Sequence, residues 1–267
     1  MHIAVVDDYI QFAATLAEAL AGTGHQVTGL VSPTQLREKP ARPYDLALVD
    51  MDFSRPLGAP DATGLAALDR LAVSGVPAAL FAMQEEENRA LFLFAAFRFF
   101  RPLGLLDKHA PRDEVLRLLD RVASASGTAG SGDAGSGDAG SGAAVEPTGA
   151  RYRTPAGVRP LIDHLLRSEL DLALWQALTR HHRRDTIAKA VTVHPRTVDK
   201  FLAHQDQVVT AVETALDGGP HVLQDAPPLP PDVARGARLL RVGEFARLHR
   251  RFFHDPTLRD LIHRRDH

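Results

Sequence analysis

The sequence predicts an α/β protein, a doubly wound parallel five-stranded sheet, followed by a second, all-α domain. Three observations carry that expectation. Up to residue 125, short apolar runs alternate with helix-like stretches. A Gly/Ser/Asp/Ala segment at 126–150 then interrupts the chain, with GSGDA at Gly130 and again at Gly135 and GSG from Gly140. Beyond it only helical periodicity remains.

The expected strands are residues 2–6, 26–31, 46–49, 78–81 and 104–106. Helices are expected near 10–21, 33–39, 64–73, 85–100 and 111–123. Strict alternation of this kind makes a sheet covered on both faces, whose sites lie at the carboxyl ends of the strands. That rule directs attention to Asp7, Asp8, Asp50, Ala82 and Lys108. The repeat segment has no large apolar residue and cannot offset its ordering entropy by burial, so it reads as a flexible linker. After it, helices are expected at 161–178, 185–191, 195–204 and 208–216. The sequence Asp217-Gly218-Gly219-Pro220 stops the last of these. A proline-rich stretch around 227–231 leads into a basic helical tail, roughly 233–263, interrupted near Asp255-Pro256. The domain plan is therefore 1–125, linker 126–150, 151–217, and the segment 218–267.

With 267 residues and 45% hydrophobic content, the chain has material for two packed cores. It has no cysteine, which excludes disulfides, thiolate catalysis and cysteine-based zinc sites and suits a reducing compartment. No basic leader precedes an apolar run, and no uncharged stretch is long enough to span a bilayer, so a soluble, cytoplasmic protein with no membrane partner is expected. Net charge is −4 over 1–125, −3 over 126–150, +2 over 151–217 and +3 over 218–267. The chain is acidic first and basic last, as when one module meets a polyanion.

Asp7, Asp8 and Asp50 fall at the ends of the first and third strands, neighbours in this topology. Clustered carboxylates repel one another unless a cation neutralises them, and hard oxygen ligands suit Mg²⁺. An aspartate that attacks phosphorus needs such a cation, and Lys108 stands ready to offset charge on phosphoryl oxygens.

The runs VVDD at 5–8, DLALVD at 45–50 and GLLDKHAP at 104–111 resemble the landmarks of two-component receiver domains over residues 1–123. The resemblance implies a receiver, flavodoxin-like fold. It implies Mg²⁺ on Asp7, Asp8 and Asp50, phosphorylation of Asp50 by a histidine kinase, and contact of Lys108 with the phosphoryl group. Two positions depart from the family. The hydroxyl usual at the end of the fourth strand is replaced by Ala82, and the aromatic residue three positions before the lysine by Leu105. Both halves of the usual switch are missing. The segment between Asp50 and Gly64 is also longer than in most receivers and is placed to cover the pocket. The same acidic cluster suits a domain that senses a small molecule or a protein partner without phosphorylation.

Phe92, Phe94, Phe97, Phe99 and Phe100 place five of the twelve phenylalanines on one expected helix. A helix lying on one face of a sheet cannot bury residues pointing all round. Either a dimer contact, as the resemblance implies, or a cap within the fold must cover them.

In the basic half, residues 186–202 read TIAKAVTVHPRTVDKFL. Ile187, Ala188 and Val191 sit at helical spacing, Val193 closes a turn, and Val198, Phe201 and Leu202 face inward on a second helix. The stretch resembles the LuxR-type, or NarL-type, helix-turn-helix. The resemblance implies a transcription factor that binds double-stranded DNA as a homodimer, with 208–216 as the dimer helix. Arg196, Asp199, Lys200, Ala203 and His204 are expected to face outward beside Thr197. Arg196 and Lys200 can donate to guanine or phosphate, and Asp199 can accept from cytosine or orient Lys200. Arg183 and Arg184, in the Arg180–Arg184 cluster, are placed to touch phosphates. His194 stands where the family carries a capping serine, a change worth about 1 kcal/mol, with Pro195 presetting the first turn.

The basic tail suits contact with DNA, with the acidic domain or with another protein, and a protein-binding adaptor is a further reading of the helical half. The thirteen histidines show no metal-ligand spacing. No nucleophile with a paired base, P-loop or dinucleotide fingerprint is present, so an enzyme is not expected.

Overall fold

Branched apolar runs at the expected positions do form a parallel sheet. The computed structural model describes residues 1–36, 44–51, 53, 63–83, 89–127, 149–223 and 231–266. Its elements run β1 (His2–Val6), α1 (Ile10–Ala19), β2 (Gln26–Leu30), β3 (Leu46–Val49), α2 (Gly64–Ser74), β4 (Ala78–Ala82), α3 (Ala90–Phe99), β5 (Leu105–Asp107) and α4 (Arg112–Gly127). Then follow α5 (Leu161–Leu165), α6 (Glu169–Leu178), α7 (Arg184–Val191), α8 (Pro195–Leu216), α9 (Pro231–Leu248), α10 (Arg250–Phe253) and α11 (Thr257–Asp266).

All strand pairs are parallel, in the order β2-β1-β3-β4-β5. This is the flavodoxin-like order, in which the strand sequence reverses between β1 and β3. Alternate residues of the central strands point to opposite faces. Ile3, Val5, Leu46, Leu48, Ala79 and Phe81 pack with Leu16, Leu20, Leu118 and Val122 of α1 and α4 or the turns beside them. The opposite face carries Ala4, Val6, Ala47, Val49 and Leu80, all buried, and α2 brings Leu65, Leu68 and Leu71 to it.

The chain divides into two compact units. The first holds the sheet with α1, α2 and α4. The second holds α5 to α11 and also α3, which the chain enters from β4 and leaves toward β5.

In the second unit, Trp175 on α6 is fully buried. It stacks on Phe253 with ring centroids 4.5 Å apart, meets Phe201 edge-on at 5.3 Å, and donates its indole N–H to the Leu165 carbonyl. The expected basic tail is thus an integral part of this core through α9 to α11. Arg265 of α11 donates to the carbonyls of Leu166 and Arg167. Buried Asp163 holds Arg98 of α3 at 3.0 Å and Arg265 at 3.7 Å.

Several expected elements differ in extent. Residues 33–36 form a single 3₁₀ turn; 37–39 of the expected second helix lie outside the described residues. The single helix expected over 161–178 is two, because Ser168 caps α6 by accepting from the Asp171 N–H while Arg167 donates to the Asp171 carboxylate. The helices expected at 195–204 and 208–216 are one, α8. No Gly or Pro interrupts it after Pro195, and Gln205 at the expected break is buried, donating to the carbonyls of His164 and Leu165. α9 packs along α8, and Arg241 pairs with Asp206 and Glu213. Most of the expected linker (128–148), the long segment after Asp50 (52 and 54–62) and the proline-rich stretch (224–230) lie outside the described residues.

Four histidines of the second unit, His164, His204, His221 and His254, have pKa values below the ordinary 6.5, burial being the first cause in each. Neighbouring guanidinium groups add to the effect at His164, His204 and His254. The unfolded chain therefore binds these protons more readily than the native one. This contribution to stability is present in full above pH 6.5 and is lost as pH falls through the depressed native values. Thermal unfolding followed by Trp175 fluorescence should give a lower Tm at about pH 5.5 than at about pH 7.5, and His204→Gln should narrow the difference. An unchanged or higher Tm at the acid end contradicts this.

Candidate functional site

The carboxyl ends of β1 and β3 bring Asp7, Asp8 and Asp50 together, with one oxygen of each within 4.8 Å of the others. β1 and β3 are hydrogen-bonded neighbours, and the Asp50 N–H donates to the Val6 carbonyl at 2.9 Å. Lys108 follows β5 immediately. Its ammonium lies 2.6 Å from Asp7 Oδ2 and 3.0 Å from Asp50 Oδ2. The side chains of Asp7, Asp50 and Lys108 are each at most 2% exposed. Burial removes the water that would solvate these charges, so losing either side of the Lys108 bridge would leave an uncompensated buried charge.

Backbone groups hold the remaining oxygens in place. The Tyr9 N–H donates to Asp7 Oδ1 at 2.9 Å and the Met51 N–H to Asp50 Oδ1 at 2.8 Å. Residues not singled out in the sequence complete the pocket. The Phe12 ring lies 4.4 Å from the Lys108 ammonium, and Phe12 itself meets Phe81 edge-on. Gly64 starts α2 directly against the Asp50 backbone; a Cβ there would overlap the Asp50 carbonyl and sit 2.7 Å from Met51 Cα. Thr63 caps α2 by accepting from the Ala66 N–H. The pattern Thr63-Gly64 before an apolar helical run was the available signal for this close approach.

Asp7, Asp8 and Asp50 together form a set of hard oxygen donors, which fits a small divalent cation. Ala82 closes β4 fully buried, in register with Asp107. Leu105 is also buried in β5.

In the helical unit, α7 is followed by a short turn and then by α8. Ile187 and Ala188 of α7 and Val198, Phe201 and Leu202 of α8 are buried as expected. Thr192 ends α7 with φ of 58°, an uncommon left-handed conformation for a β-branched residue, and the Val193 N–H closes the turn on the Ala188 carbonyl. His194 does cap α8: its Nδ1 accepts from the Arg196 N–H at 3.1 Å, with Pro195 in the first turn.

Arg183, Arg196 and Lys200 are exposed, and Thr197 is half-buried. Asp199 does not orient Lys200. It pairs instead with Arg184 Nη1 at 3.2 Å, bracing α8 against α7 and occupying an arginine expected to reach phosphate. His204 does not face outward either: it is half-buried, with Nε2 3.2 Å from the His164 carbonyl oxygen.

The rest of the fold is similar to solved receiver domains. The signal receiver domain of a modulated diguanylate cyclase from Desulfovibrio desulfuricans G20 is 24% identical, over 48% of this chain and 97% of that one, with a TM-score of 0.39. The receiver domain of NtrX from Brucella abortus is 21% identical, over 46% and 98%, with a TM-score of 0.37. A CheY-like receiver domain protein from Methanospirillum hungatei JF-1 is 17% identical, over 48% and 98%, with a TM-score of 0.38. No protein-family model matches the chain, and no curated protein matches it. The strand order and flanking helices of the first unit are those of a flavodoxin-like α/β fold. Among the described residues no helix is long and apolar enough to cross a membrane.

The pocket's geometry makes one position intolerant. Gly64→Ala should destabilise the first unit by about 1–3 kcal/mol, because the added methyl meets backbone on two sides and α2 must shift away from Asp50. Chemical denaturation of the full chain checks this; a change below about 0.5 kcal/mol means that α2 does not brace the pocket.

Proposed function

We propose that this protein is a DNA-binding response regulator in which phosphorylation of Asp50 controls the helical unit. The observation that carries the reading is the Lys108 ammonium held between Asp7 and Asp50 at the carboxyl edge of the sheet. A carboxylate oxygen of Asp50 attacks the phosphorus of a phosphohistidine or an acyl phosphate. A P–O bond forms to Asp50, the bond from phosphorus to the leaving imidazole or carboxylate breaks, and an aspartyl phosphate results. Lys108 turns its ammonium from Asp50 to the phosphoryl oxygens, offsetting their charge. Asp7, Asp8 and Asp50 would hold Mg²⁺, which when bound neutralises the transferring group.

The structural signal follows a different route from the usual one, since neither Ala82 nor Leu105 can report the phosphoryl group by a hydroxyl or a swinging ring. In sequence α3 lies between β4 and β5, so the chain passes from the sheet unit to the helical unit and back. α3 packs among the helices of the second unit, so a shift of β4's end reaches the helical core through a covalent connection. DNA is read by the first turns of α8. Arg196 and Lys200, one helical turn apart and exposed, are placed for guanine edges or phosphates, with Thr197 and Arg183 on the backbone. A homodimer would pair two such helices on a two-fold site. The buried Ala82 also favours a second reading, a regulator of the same architecture that answers a ligand without phosphorylation.

One experiment separates them. The full chain is incubated with acetyl phosphate and Mg²⁺, weighed intact, and used to select ligands from random duplexes before and after treatment. Phosphorylation predicts a single phosphoryl adduct absent from Asp50→Asn, and an enriched paired motif whose affinity changes on treatment. Arg196→Ala and Lys200→Ala should each weaken binding by about tenfold or more. An enriched motif without an adduct favours control independent of phosphorylation; no enriched motif under either condition excludes the DNA-binding reading.

A further inference from the structure

Two basic runs of the second unit, distant in the sequence, meet on one surface. The turn between α6 and α7 carries Arg180, His182 and Arg183, all exposed. The end of α9 and α10 carry Arg247, half-buried, and Arg250, exposed. Packing beneath joins the two segments: the Gln176 amide donates to the Phe253 carbonyl, and Thr179 and His254 share a hydrogen bond of 3.0 Å. Arg247 Nη1 lies 3.1 Å from His182 Nδ1. A guanidinium only donates, so Nδ1 accepts and the neutral ring carries its proton on Nε2, a further donor on an exposed side chain.

These charges are not used to hold the fold. Arg167, Arg184, Arg238, Arg241 and Arg265 of the same unit each engage a carboxylate. Among the described residues, no carboxylate pairs with Arg180, Arg183, Arg247 or Arg250. The acidic neighbours in sequence are otherwise placed. Asp185 pairs with Arg184, buried Asp255 accepts from the Thr257 N–H, and Glu244, a turn before Arg247 on α9, is exposed and forms no ion pair among the described residues. Burial holds the His254 pKa below its ordinary value, and the charges of Arg180 and Arg250 add to the effect, so both guanidinium groups stand near the same ring. Like charges gathered without counter-charges repel, and a bound polyanion relieves that repulsion.

We propose that this surface is a second contact with double-stranded DNA, in which Arg180, His182, Arg183, Arg247 and Arg250 hold phosphates of the duplex backbone while α8 meets the bases. The inference rests on the DNA-binding reading above and gives the C-terminal helices a part in it. Guanidinium forks match phosphate oxygens, and charges drawn from two separate elements suit an anion whose charge repeats along its length. Continuity supports the same occupant: the turn that carries Arg180, His182 and Arg183 opens α7, and α7 packs on α8. Contacts of this kind set affinity and register and carry no base information.

The test is the salt dependence of duplex affinity for the full chain, measured by fluorescence anisotropy on a mixed-sequence duplex of about 30 base pairs and on any duplex enriched by selection. The double variant Arg247→Gln, Arg250→Gln should bind both duplexes at least about tenfold more weakly at about 100 mM salt, with a slope of log affinity against log salt shallower by about 2. It should melt no lower than the parent, since neither arginine holds a carboxylate, and it should select the same motif. Arg180→Gln, from the other run, should reduce the slope by about 1 on its own. Arg112→Gln with Arg117→Gln, exposed on α4 of the first unit, removes the same charge elsewhere and should leave the slope unchanged. A parent that binds duplex while both the double variant and Arg180→Gln keep its affinity and slope overturns this proposal alone. Equal weakening by the α4 control, or a changed motif in the double variant, also overturns it. A parent that binds no duplex overturns it together with the DNA-binding reading.

Discussion

A buried ammonium shared by two buried carboxylates is the interaction on which the first unit's organisation turns. Lys108 can reach Asp7 and Asp50 together only if β1 and β3 are adjacent and the turn after β5 folds back over their carboxyl ends. Each ion would be heavily penalised alone in that environment, so the three elements are tied to one arrangement. The neighbouring features follow from the same requirement. Phe12 gives the ammonium an aromatic face, the Tyr9 and Met51 amides hold the carboxylates in place, and Gly64 lets α2 begin against the Asp50 backbone.

A second constraint is the composition of α3. Every residue from Ala90 to Phe97 is buried, so the helix has no solvated face along that length. Phe92 meets Phe252 and Phe94 meets Tyr152 and His221, while Arg98 is drawn to Asp163. The phenylalanines are thereby covered within the chain by residues more than fifty positions later. A helix that occurs between two strands of the sheet is in packing terms a member of the helical unit.

The sheet was legible because fully buried parallel strands read as short apolar runs, and the acidic pocket because its ligands fall at strand ends. Asp7, Asp8, Asp50 and Lys108 converge as their positions in the sequence implied. The helical half was less legible where local signals were weak or misweighed. Ser168 with Asp171 marked a helix start that periodicity over 161–178 concealed. Gln205, polar in the middle of α8, is buried because the α5 end supplies carbonyls for its amide. Asp199 and His204 had been placed outward by helical spacing alone; their partners, Arg184 and the His164 carbonyl, come from other elements and leave no trace in the local pattern. The meeting of the two basic runs was invisible for the same reason, since Arg247 is brought to His182, and Arg250 to the ring beside Arg180, only by folding.

In the proposed function, phosphorylation at Asp50 acts on the helical unit through α3. Hydrogen exchange of the full chain, with and without Mg²⁺ and beryllium fluoride as a phosphoryl mimic, tests it most directly. The account predicts that the mimic changes amide protection across residues 90–99 and α6, and that Asp50→Asn abolishes the change. Protection altered around Asp50 but identical throughout α3 and the helical unit would contradict it.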